Sequence, residues 1–270
     1  QLACACSSVG GSRDSWHQEY ASTASRAPFA LAPGGDVFQF GVATGNTLSQ
    51  LQRCMTEPGR HFFGFDTFSG MPVADSGEAT LKVWKQGAFF GGRAEQLAAR
   101  LGGNVTMIAG KYSDSLKPKL AARHAMRPAS YVDIDCDLYS SSFDALDWLF
   151  RSGLIQVGTA IGYDDWYDLP CTLKDSAIAS YGQPRAHREV ATKYGVVFRC
   201  FCGPCKPRAI SARNGSNFPG WRVYFVVEKL GGVVADDGWS DQVGRDFYAH
   251  SPKCHRQKGR GFPNTTIVSR

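Results

Sequence analysis

The stretch Tyr131–Tyr139, YVDIDCDLY, constrains the fold of this chain more than any other. It places three carboxylates, Asp133, Asp135 and Asp137, at alternate positions at the end of an apolar run, which predicts a buried strand whose carboxyl end opens at the edge of a sheet. Open α/β sheets bind their ligands at that edge. The next apolar run, LIQVGTAIGY, ends in a second acidic pair, Asp164–Asp165.

The acids at these two strand ends predict a cation site. Neighbouring carboxylates repel one another, so a fold that keeps them ionised supplies a cation, and hard divalent ions take oxygen ligands. Two adjacent strand ends would aim their carboxylates at one point. The competing interpretation is that each acid only caps the helix that follows it. Capping accounts for a single Asp more easily than for the whole set.

The length and composition favour one soluble globular domain. The chain has 270 residues, of which 43% are hydrophobic and 20% charged, which is ordinary for such a domain. We expect a disordered segment at 1–12, a single domain at 13–230 and an irregular basic tail at 231–270. No run approaches the roughly 18 apolar residues of a membrane span, and no secretion signal is visible. The chain starts at Gln1, which leaves room for a missing upstream segment; the compartment stays open, with the cytoplasm favoured.

The basic residues are concentrated in the last third of the chain. Residues 185–270 carry 15 Lys and Arg against 6 Asp and Glu. Such a surface attracts anionic partners such as nucleic acid or a membrane surface. Here the basic residues are scattered, without a Lys/Arg-rich block or interleaved aromatic residues, so nucleic-acid binding is disfavoured.

The nine cysteines do not indicate a secreted disulfide framework, because their number is odd and a signal peptide is not visible. Cys200, Cys202 and Cys205 form a C-x-C-x2-C cluster, with Cys254–His255 as a candidate fourth ligand. Zinc sites usually show two C-x2-C-like pairs at regular spacing. Free thiols or one disulfide are therefore favoured over zinc.

A glycine turn follows the first predicted strand. The strand Asp36–Phe40 leads into GVATGNT, and Asn46–Glu57 then has apolar residues at helical spacing. Gly41 and Gly45 let the backbone approach a ligand closely, and the helix N-terminus offers free N–H groups. If the two glycines are considered alone, the alternative interpretation is a tight turn that binds no ligand.

A second strand, HFFGFD, ends in Asp66 about 20 residues beyond the glycine turn. An acid at that spacing is placed to hydrogen-bond both hydroxyls of a ribose. The glycine turn and Asp66 together indicate a nucleoside-type ligand. Residues 67–90 show no clean period and are predicted to be a long loop that covers the site.

The remaining chain alternates strands with helices, which predicts a doubly wound α/β sheet. The predicted elements are a helix at Arg93–Leu101, a strand at Val105–Ala109, a helix before and another after the acidic strand, and helices near Leu173–Tyr181 and Ala186–Tyr194. Two apolar runs, GVVFRCF and WRVYFVVEKL, are predicted to be neighbouring antiparallel strands with an inserted loop, 202–219, between them.

Five segments carry a family resemblance: FGVATGNTL, GFDTFSGMP, VTMIAGKYSDSL, DIDCDLYSSSFDAL and GYDDW. In this order and spacing they resemble the metal-dependent macrocin O-methyltransferase family of class I S-adenosylmethionine enzymes. The resemblance covers about residues 35 to 230, without the insert at 202–219 or the tail. It implies a Rossmann-like, doubly wound and mostly parallel seven-stranded sheet with helices on both faces and its last two strands antiparallel.

The resemblance also implies the residues that hold the cofactor S-adenosyl-L-methionine and a Mg²⁺ ion. The implied cofactor-binding residues are Gln39, Gly41, Val42, Gly45, Asn46 and Thr47 around the glycine turn, Asp66 at the ribose, and Gly110 and Tyr112 near the adenine. At the place of Gln39 the family usually has an acid; an amide accepts a hydrogen bond from the cofactor's amino group more weakly. Asp135, Asp164 and Asp165 are the implied Mg²⁺ ligands, and Asp135 is also the implied general base, supported by Asp137 and Tyr139.

The expected activity is O-methylation of a small-molecule hydroxyl. A sugar, a glycosylated natural product or a phenol would suit a pocket with Trp84, Phe89, Trp166 and Tyr167 around it. One alternative is a nicotinamide-dependent oxidoreductase, but the turn is not G-x-G-x-x-G and such an enzyme has no use for acids on two strand ends. The other is a non-catalytic module that keeps the cofactor and binds a partner through the basic C-terminal third; the presence of all three acids argues against it. The oligomeric state stays open, with a homo-oligomer among the expectations.

Overall fold

The structure is a computed structural model that describes residues 32–168, 180–203, 205, 222–234 and 236–239. Its strands are β1 (Asp36–Phe40), β2 (Phe62–Asp66), β3 (Val105–Ala109), β4 (Ala129–Ile134), β5 (Ala160–Tyr163), β6 (Val197–Cys202) and β7 (Val223–Lys229). Its helices are α1 (Asn46–Cys54), α2 (Ala94–Leu101), α3 (Tyr112–Ser115), α4 (Leu120–Arg123), α5 (Tyr139–Arg151) and α6 (Gly182–Tyr194).

The seven strands form one sheet in the order β3-β2-β1-β4-β5-β7-β6. β1 pairs in parallel with β2 on one side and with β4 on the other, and β4 pairs in parallel with β5. β7 lies between β5 and β6 and runs antiparallel to both. The carboxyl ends of β1, β2, β4 and β5 therefore open at one edge, and the strand order reverses between β1 and β4, where such sheets bind ligands. The predicted sheet is confirmed.

Helices cover both faces of the sheet because alternate strand residues point to opposite sides. On one face, Val37, Phe62 and Tyr131 pack in a cluster with Leu48 and Leu51 of α1. On the other face, neighbouring residues of the same strands pack against α4, α5 and α6. Trp148 of α5 is fully buried there, with its ring centroid 5.5 Å from that of Phe65. Full burial of a side chain of this size stabilises the fold by roughly 1.5–3 kcal/mol.

Several element boundaries differ from those predicted. α1 ends at Cys54 rather than Glu57, and α6 begins at Gly182 rather than Ala186. The helix expected between GKYSDSL and the acidic strand is the short helix α4, and a second short helix, α3, lies inside GKYSDSL, where none was predicted. Pro118 lies between them, and a proline inside a helix removes a backbone donor and clashes with the preceding turn. The apolar run that ends at Tyr163 forms a strand only over its last four residues.

Some predictions concern residues outside the described ranges. These are the disordered segment 1–12, most of the helix near Leu173–Tyr181, most of the 202–219 insert, and the tail beyond 239. The described tail residues, 231–234 and 236–239, contain no helix or strand. Trp239 nevertheless packs against Trp166, with ring centroids 5.3 Å apart, so this part of the chain is attached to the core.

Cys200 and Cys205 form a disulfide bond. One disulfide was among the arrangements favoured over a zinc site for this cysteine cluster. Cys54 is also disulfide-bonded. Over the described ranges, no helix combines the length and the hydropathy needed to cross a membrane.

Candidate active site

The glycine turn after β1 is held by the carboxylate of Asp66. Its Oδ2 accepts hydrogen bonds from the backbone N–H groups of Val42 (2.8 Å) and Ala43 (3.0 Å), and its Oδ1 accepts one from Phe68 (2.8 Å). Gly41 has a φ of 88°, and a Cβ atom there would lie 1.7 Å from the carbonyl oxygen of Asp135. Only glycine therefore lets the end of β1 come this close to the end of β4.

The long loop after β2 crosses the glycine turn and is attached to α5. No helix or strand occurs in residues 67–93. A Cβ atom at Gly91 would lie 2.0 Å from the backbone carbon of Ala43, which shows how closely the loop crosses the turn. Glu78 accepts hydrogen bonds from the backbone N–H (2.7 Å) and the hydroxyl (3.1 Å) of Ser140 at the N-terminus of α5. A carboxylate is favourable at that end of a helix.

A cavity of about 530 Å³ lies between the glycine turn, this loop and the ends of β4 and β5. Of the predicted cofactor-binding residues, Gly41, Asp66 and Tyr112 line it, whereas Gln39, Val42, Gly45, Asn46, Thr47 and Gly110 do not. Gln39 is buried inside β1, and its Oε1 has no hydrogen-bond partner among the described residues. Trp84 and Phe89 line the cavity from the loop side.

The three predicted metal ligands meet at the edge of the sheet. The backbone N–H of Asp135 donates to the carbonyl of Phe40 (2.8 Å) and that of Asp164 to the carbonyl of Ile134 (3.0 Å), so both residues continue the strand ladders. One carboxylate oxygen each of Asp135, Asp164 and Asp165 lie within 4.8 Å of one another. The common edge of the parallel strands therefore brings these side chains together.

Gln183 of α6 fixes Asp165 from the other side. Its amide NH2 donates to Oδ2 of Asp165 (3.2 Å) and to the carbonyl of Ile134 (3.1 Å), and its Oε1 accepts from the backbone N–H of Asp165 (3.0 Å). The backbone N–H of Asp137 donates to the same Oδ2 (3.0 Å). Gln183 was not predicted from the sequence, since an isolated glutamine carries no recognisable pattern.

Burial and mutual repulsion perturb these acids. Burial, followed by the charge of Asp164, raises the pKa of Asp135 well above its ordinary value. Burial, followed by the charge of Asp137, does the same to the pKa of Asp165. Burial raises the pKa of Asp137 to about 7, and that residue has a φ of 58°, which is uncommon for a residue other than glycine. The cluster thus favours protons or another cation.

An arginine that the sequence analysis also missed reaches into this cluster. The guanidinium of Arg222, the residue before β7, pairs with Asp133 (Nη1–Oδ1 2.8 Å), Asp135 (Nη2–Oδ2 3.5 Å) and Asp164 (Nε–Oδ1 2.5 Å). The available signal was an arginine at the start of an otherwise apolar strand, WRVYFVV. Asp133 is fully buried, and its Oδ1 also accepts a hydrogen bond from the hydroxyl of Tyr131 (3.0 Å).

Three residues expected around the site lie elsewhere. The hydroxyl of Tyr139 donates to Glu189 of α6 (2.5 Å), away from the acids. Trp166 and Tyr167 are each 1% exposed and belong to the core instead of the cavity wall. Their side chains are buried because the chain turns back into the core directly after Asp165, where Trp166 packs on Phe225 of β7 with ring centroids 4.9 Å apart.

The cavity wall is strongly acidic. Among the described residues that line it are eight aspartates and one lysine, Lys111. Low-dielectric walls of one charge sign concentrate ligands of the opposite sign. The arrangement suits a divalent ion and a cofactor that carries positive charge.

Comparisons with known proteins test the predicted fold. No protein-family model matches the chain, and a search of the curated proteins returned no match. Among solved structures, the calicheamicin methyltransferase CalS11 is similar over 77% of this chain and 78% of its own, with 18% identity and a TM-score of 0.52. The O-methyltransferase NovP is similar over 78% of each chain, with 17% identity and a TM-score of 0.48. At this identity the likeness to CalS11 is one of fold, so the Rossmann-like methyltransferase fold is confirmed while the resemblance to the macrocin family stays a prediction.

Proposed function

We propose that this protein is a Mg²⁺-assisted, S-adenosyl-L-methionine-dependent O-methyltransferase that acts on a hydroxyl of a sugar, a glycosylated natural product or a phenolic small molecule. The observation that carries the proposal is the convergence of Asp135, Asp164 and Asp165 within 4.8 Å on the wall of a cavity that is also lined by Gly41 of the glycine turn and by Asp66 at the end of β2. A nicotinamide-dependent oxidoreductase gives no role to the three acids.

The glycine turn and Asp66 fit the cofactor. The close approach at Gly41 leaves no room for a side chain at the turn. The two carboxylate oxygens of Asp66 offer about four acceptor sites in total, and backbone N–H groups occupy two on Oδ2 and one on Oδ1. The Thr67 hydroxyl lies 3.4 Å from Oδ1 but donates to the nearer carbonyl of Gly70 at 2.6 Å, so one site on Oδ1 remains for one ribose hydroxyl. Tyr112 lines the same end of the cavity and would lie near the adenine. The cofactor supplies a methyl group on a positively charged sulfur.

The acid cluster fits Mg²⁺. Opposite oxygen ligands of a six-coordinate Mg²⁺ lie about 4.2 Å apart, twice the bond length, and the three oxygens are already within 4.8 Å of one another. Among the described residues, Asp135 and Asp164 each use one oxygen for Arg222, and Asp165 uses one for Gln183 and Asp137. The other oxygen of each remains for an ion. An ion held there would lower the pKa of a neighbouring acceptor hydroxyl.

The residues around the cluster would orient and deprotonate the acceptor. Asp135 lines the cavity, so its carboxylate would reach the acceptor hydroxyl and take its proton as general base. Gln183 keeps Asp165 in place through two hydrogen bonds. Trp84 and Phe89 on the covering loop provide an apolar wall that excludes water from one side of the acceptor. Alignment of the two reactants supplies much of the rate.

The charge of the cavity narrows the class of acceptor. Among the described residues that line the cavity, eight aspartates face one lysine. This charge balance would repel phosphate and carboxylate groups, so neutral or cationic acceptors are favoured over anionic ones such as nucleotide sugars.

The test measures transfer of a labelled methyl group to a panel of acceptors: free sugars, glycosides, phenols, amino sugars and one nucleotide sugar. Each acceptor is assayed with Mg²⁺ and with EDTA, in the wild type, in Asp135→Ala and in the control Asp114→Ala, whose side chain is exposed on α3. We expect transfer only with Mg²⁺, its loss in Asp135→Ala and its retention in Asp114→Ala. A full rate in EDTA would remove the metal from the proposal. Binding of S-adenosylhomocysteine without methyl transfer to any acceptor would favour the non-catalytic interaction module, and failure to bind it would contradict the cofactor assignment itself.

A further inference from the structure

Arg222 is the feature of the acid cluster that the proposed reaction does not explain. β7 is inserted between β5 and β6, which places the residue before it beside the ends of β4 and β5. The Arg222 side chain is 10% exposed and pairs with Asp133, Asp135 and Asp164 at 2.8, 3.5 and 2.5 Å. Two of these three acids are proposed metal ligands.

The guanidinium and an ion would divide the carboxylate oxygens between them. Arg222 contacts Oδ2 of Asp135 and Oδ1 of Asp164, which leaves the other oxygen of each for the ion. Asp133 lies behind this pair. It is 0% exposed, does not line the cavity and is paired with Arg222. Because a buried carboxylate without a partner is strongly destabilising, Arg222 is needed there even when no ion is bound.

The net charge shows that Arg222 only partly neutralises the cluster. Four carboxylates, Asp133, Asp135, Asp164 and Asp165, face one guanidinium. If all are ionised, three negative charges remain, so a divalent ion is still attracted. It is attracted less than it would be without Arg222, because the guanidinium repels any cation that shares its carboxylates.

We propose that Arg222 is a resident counter-cation of this cluster, which stabilises the acids before an ion binds and weakens divalent-ion affinity so that the ion binds reversibly. The inference rests on the proposed function only for the identity of the ion. The alternative role for Arg222 is to position the acids, which would strengthen ion binding. The backbones of Asp135 and Asp164 are already fixed by strand hydrogen bonds of 2.8 and 3.0 Å, so little positioning is left for Arg222 and repulsion decides the sign.

The experiment compares Mg²⁺ and Mn²⁺ binding by calorimetry in the full chain, without cofactor, for the wild type and Arg222→Gln. We expect the Kd of the variant to be lower by at least about tenfold, the order expected when one nearby charge is removed. The variant without ion should melt at a lower temperature than the wild type, and Mg²⁺ should raise its melting temperature by more. The control is Arg199→Gln, because Arg199 on β6 is about half exposed and pairs with Glu228 away from the cluster.

A second pair of variants covers the case in which Arg222→Gln does not fold. Asp133→Asn is compared with Asp133→Asn/Arg222→Gln, where the buried charge is removed together with its partner. The double variant should again bind Mg²⁺ more tightly than its single parent. Binding of S-adenosylhomocysteine reports in all variants whether the cofactor side of the fold is intact.

The outcomes separate this inference from the proposed function. Unchanged or weaker ion binding on loss of Arg222 overturns the counter-cation role, and weaker binding assigns Arg222 to positioning. If the wild type binds no divalent ion but the variant does, Arg222 is confirmed as the counter-cation and the Mg²⁺ part of the proposed function is wrong. If neither protein binds an ion, the inference is wrong.

Discussion

His187 should make the stability of this fold depend on pH below neutrality. The side chain lies on α6 and is 1% exposed, between Phe198 and Phe225 with ring centroids 4.2 and 4.3 Å away. Its Nδ1 is hydrogen-bonded to the hydroxyl of Tyr163 at 2.9 Å. Its Nε2 lies 3.7 Å from Oδ2 of Asp237, too far for a hydrogen bond. Burial, followed by the charge of nearby Arg188, lowers the pKa of His187 to about 3.

The sign of the effect follows from proton binding. Between pH 6.5 and about 3 the unfolded chain binds a proton on this histidine that the folded chain excludes, so acid favours unfolding. The contribution of neutral His187 to the free energy of unfolding is fully present above the unfolded pKa of 6.5 and is lost as the pH falls toward the folded pKa. One pH unit in this window is worth about 1.4 kcal/mol, so the fall from pH 7 to pH 5 removes about 2 kcal/mol from the free energy of unfolding.

Urea unfolding at pH 7 and pH 5 measures this loss. Between pH 7 and pH 5 the free energy of unfolding of the wild type should fall by about 2 kcal/mol more than that of His187→Gln. The glutamine amide of this variant can still hydrogen-bond Tyr163 and does not titrate. His124→Gln is the matched control, because it makes the same substitution at a histidine that is only partly buried and lies outside α6. Equal losses in wild type and His187→Gln, or an NMR titration of His187 near pH 6.5, would refute the reasoning. Such a result would mean that Asp237 closes the 3.7 Å gap and pairs with a charged imidazole.

The other predictions concern the cavity. Asp66→Asn should weaken S-adenosylhomocysteine binding by at least about tenfold in calorimetry, because the carboxylate that holds the glycine turn and is assigned to the ribose becomes an amide; unchanged affinity would remove that assignment. Glu78→Gln should lower the free energy of unfolding by about 0.5–1 kcal/mol and speed proteolysis within residues 67–93, since the loop loses its charged bond to α5. Asp165→Asn keeps one oxygen ligand and should reduce the methylation rate less than Asp135→Ala, which loses both ligand and base; the reverse order in initial rates would contradict these roles.

The sequence alone determined the parts of this protein that depend on local pattern. Apolar runs ending in Asp66, Asp135 and Asp164–Asp165 predicted strands with acids at their carboxyl ends, and the sheet has these strands. Parallel strands that alternate with helices present their carboxyl ends at one edge, so the meeting of Asp135, Asp164 and Asp165 within 4.8 Å could be anticipated without coordinates. Their assignment to Mg²⁺ and that of Asp66 to ribose stay predictions.

Only the tertiary structure decided which side chains surround those acids. Arg222 reaches Asp133 and Asp164 because β7 is inserted between β5 and β6, and Gln183 reaches Asp165 because α6 packs across the end of β5. Trp166 was expected at the cavity but lies in the core. Residues far apart in sequence meet according to strand order and helix packing, which local periodicity does not specify. The acids can therefore be recognised in the sequence, whereas the arginine that partly neutralises them is identified only in the fold.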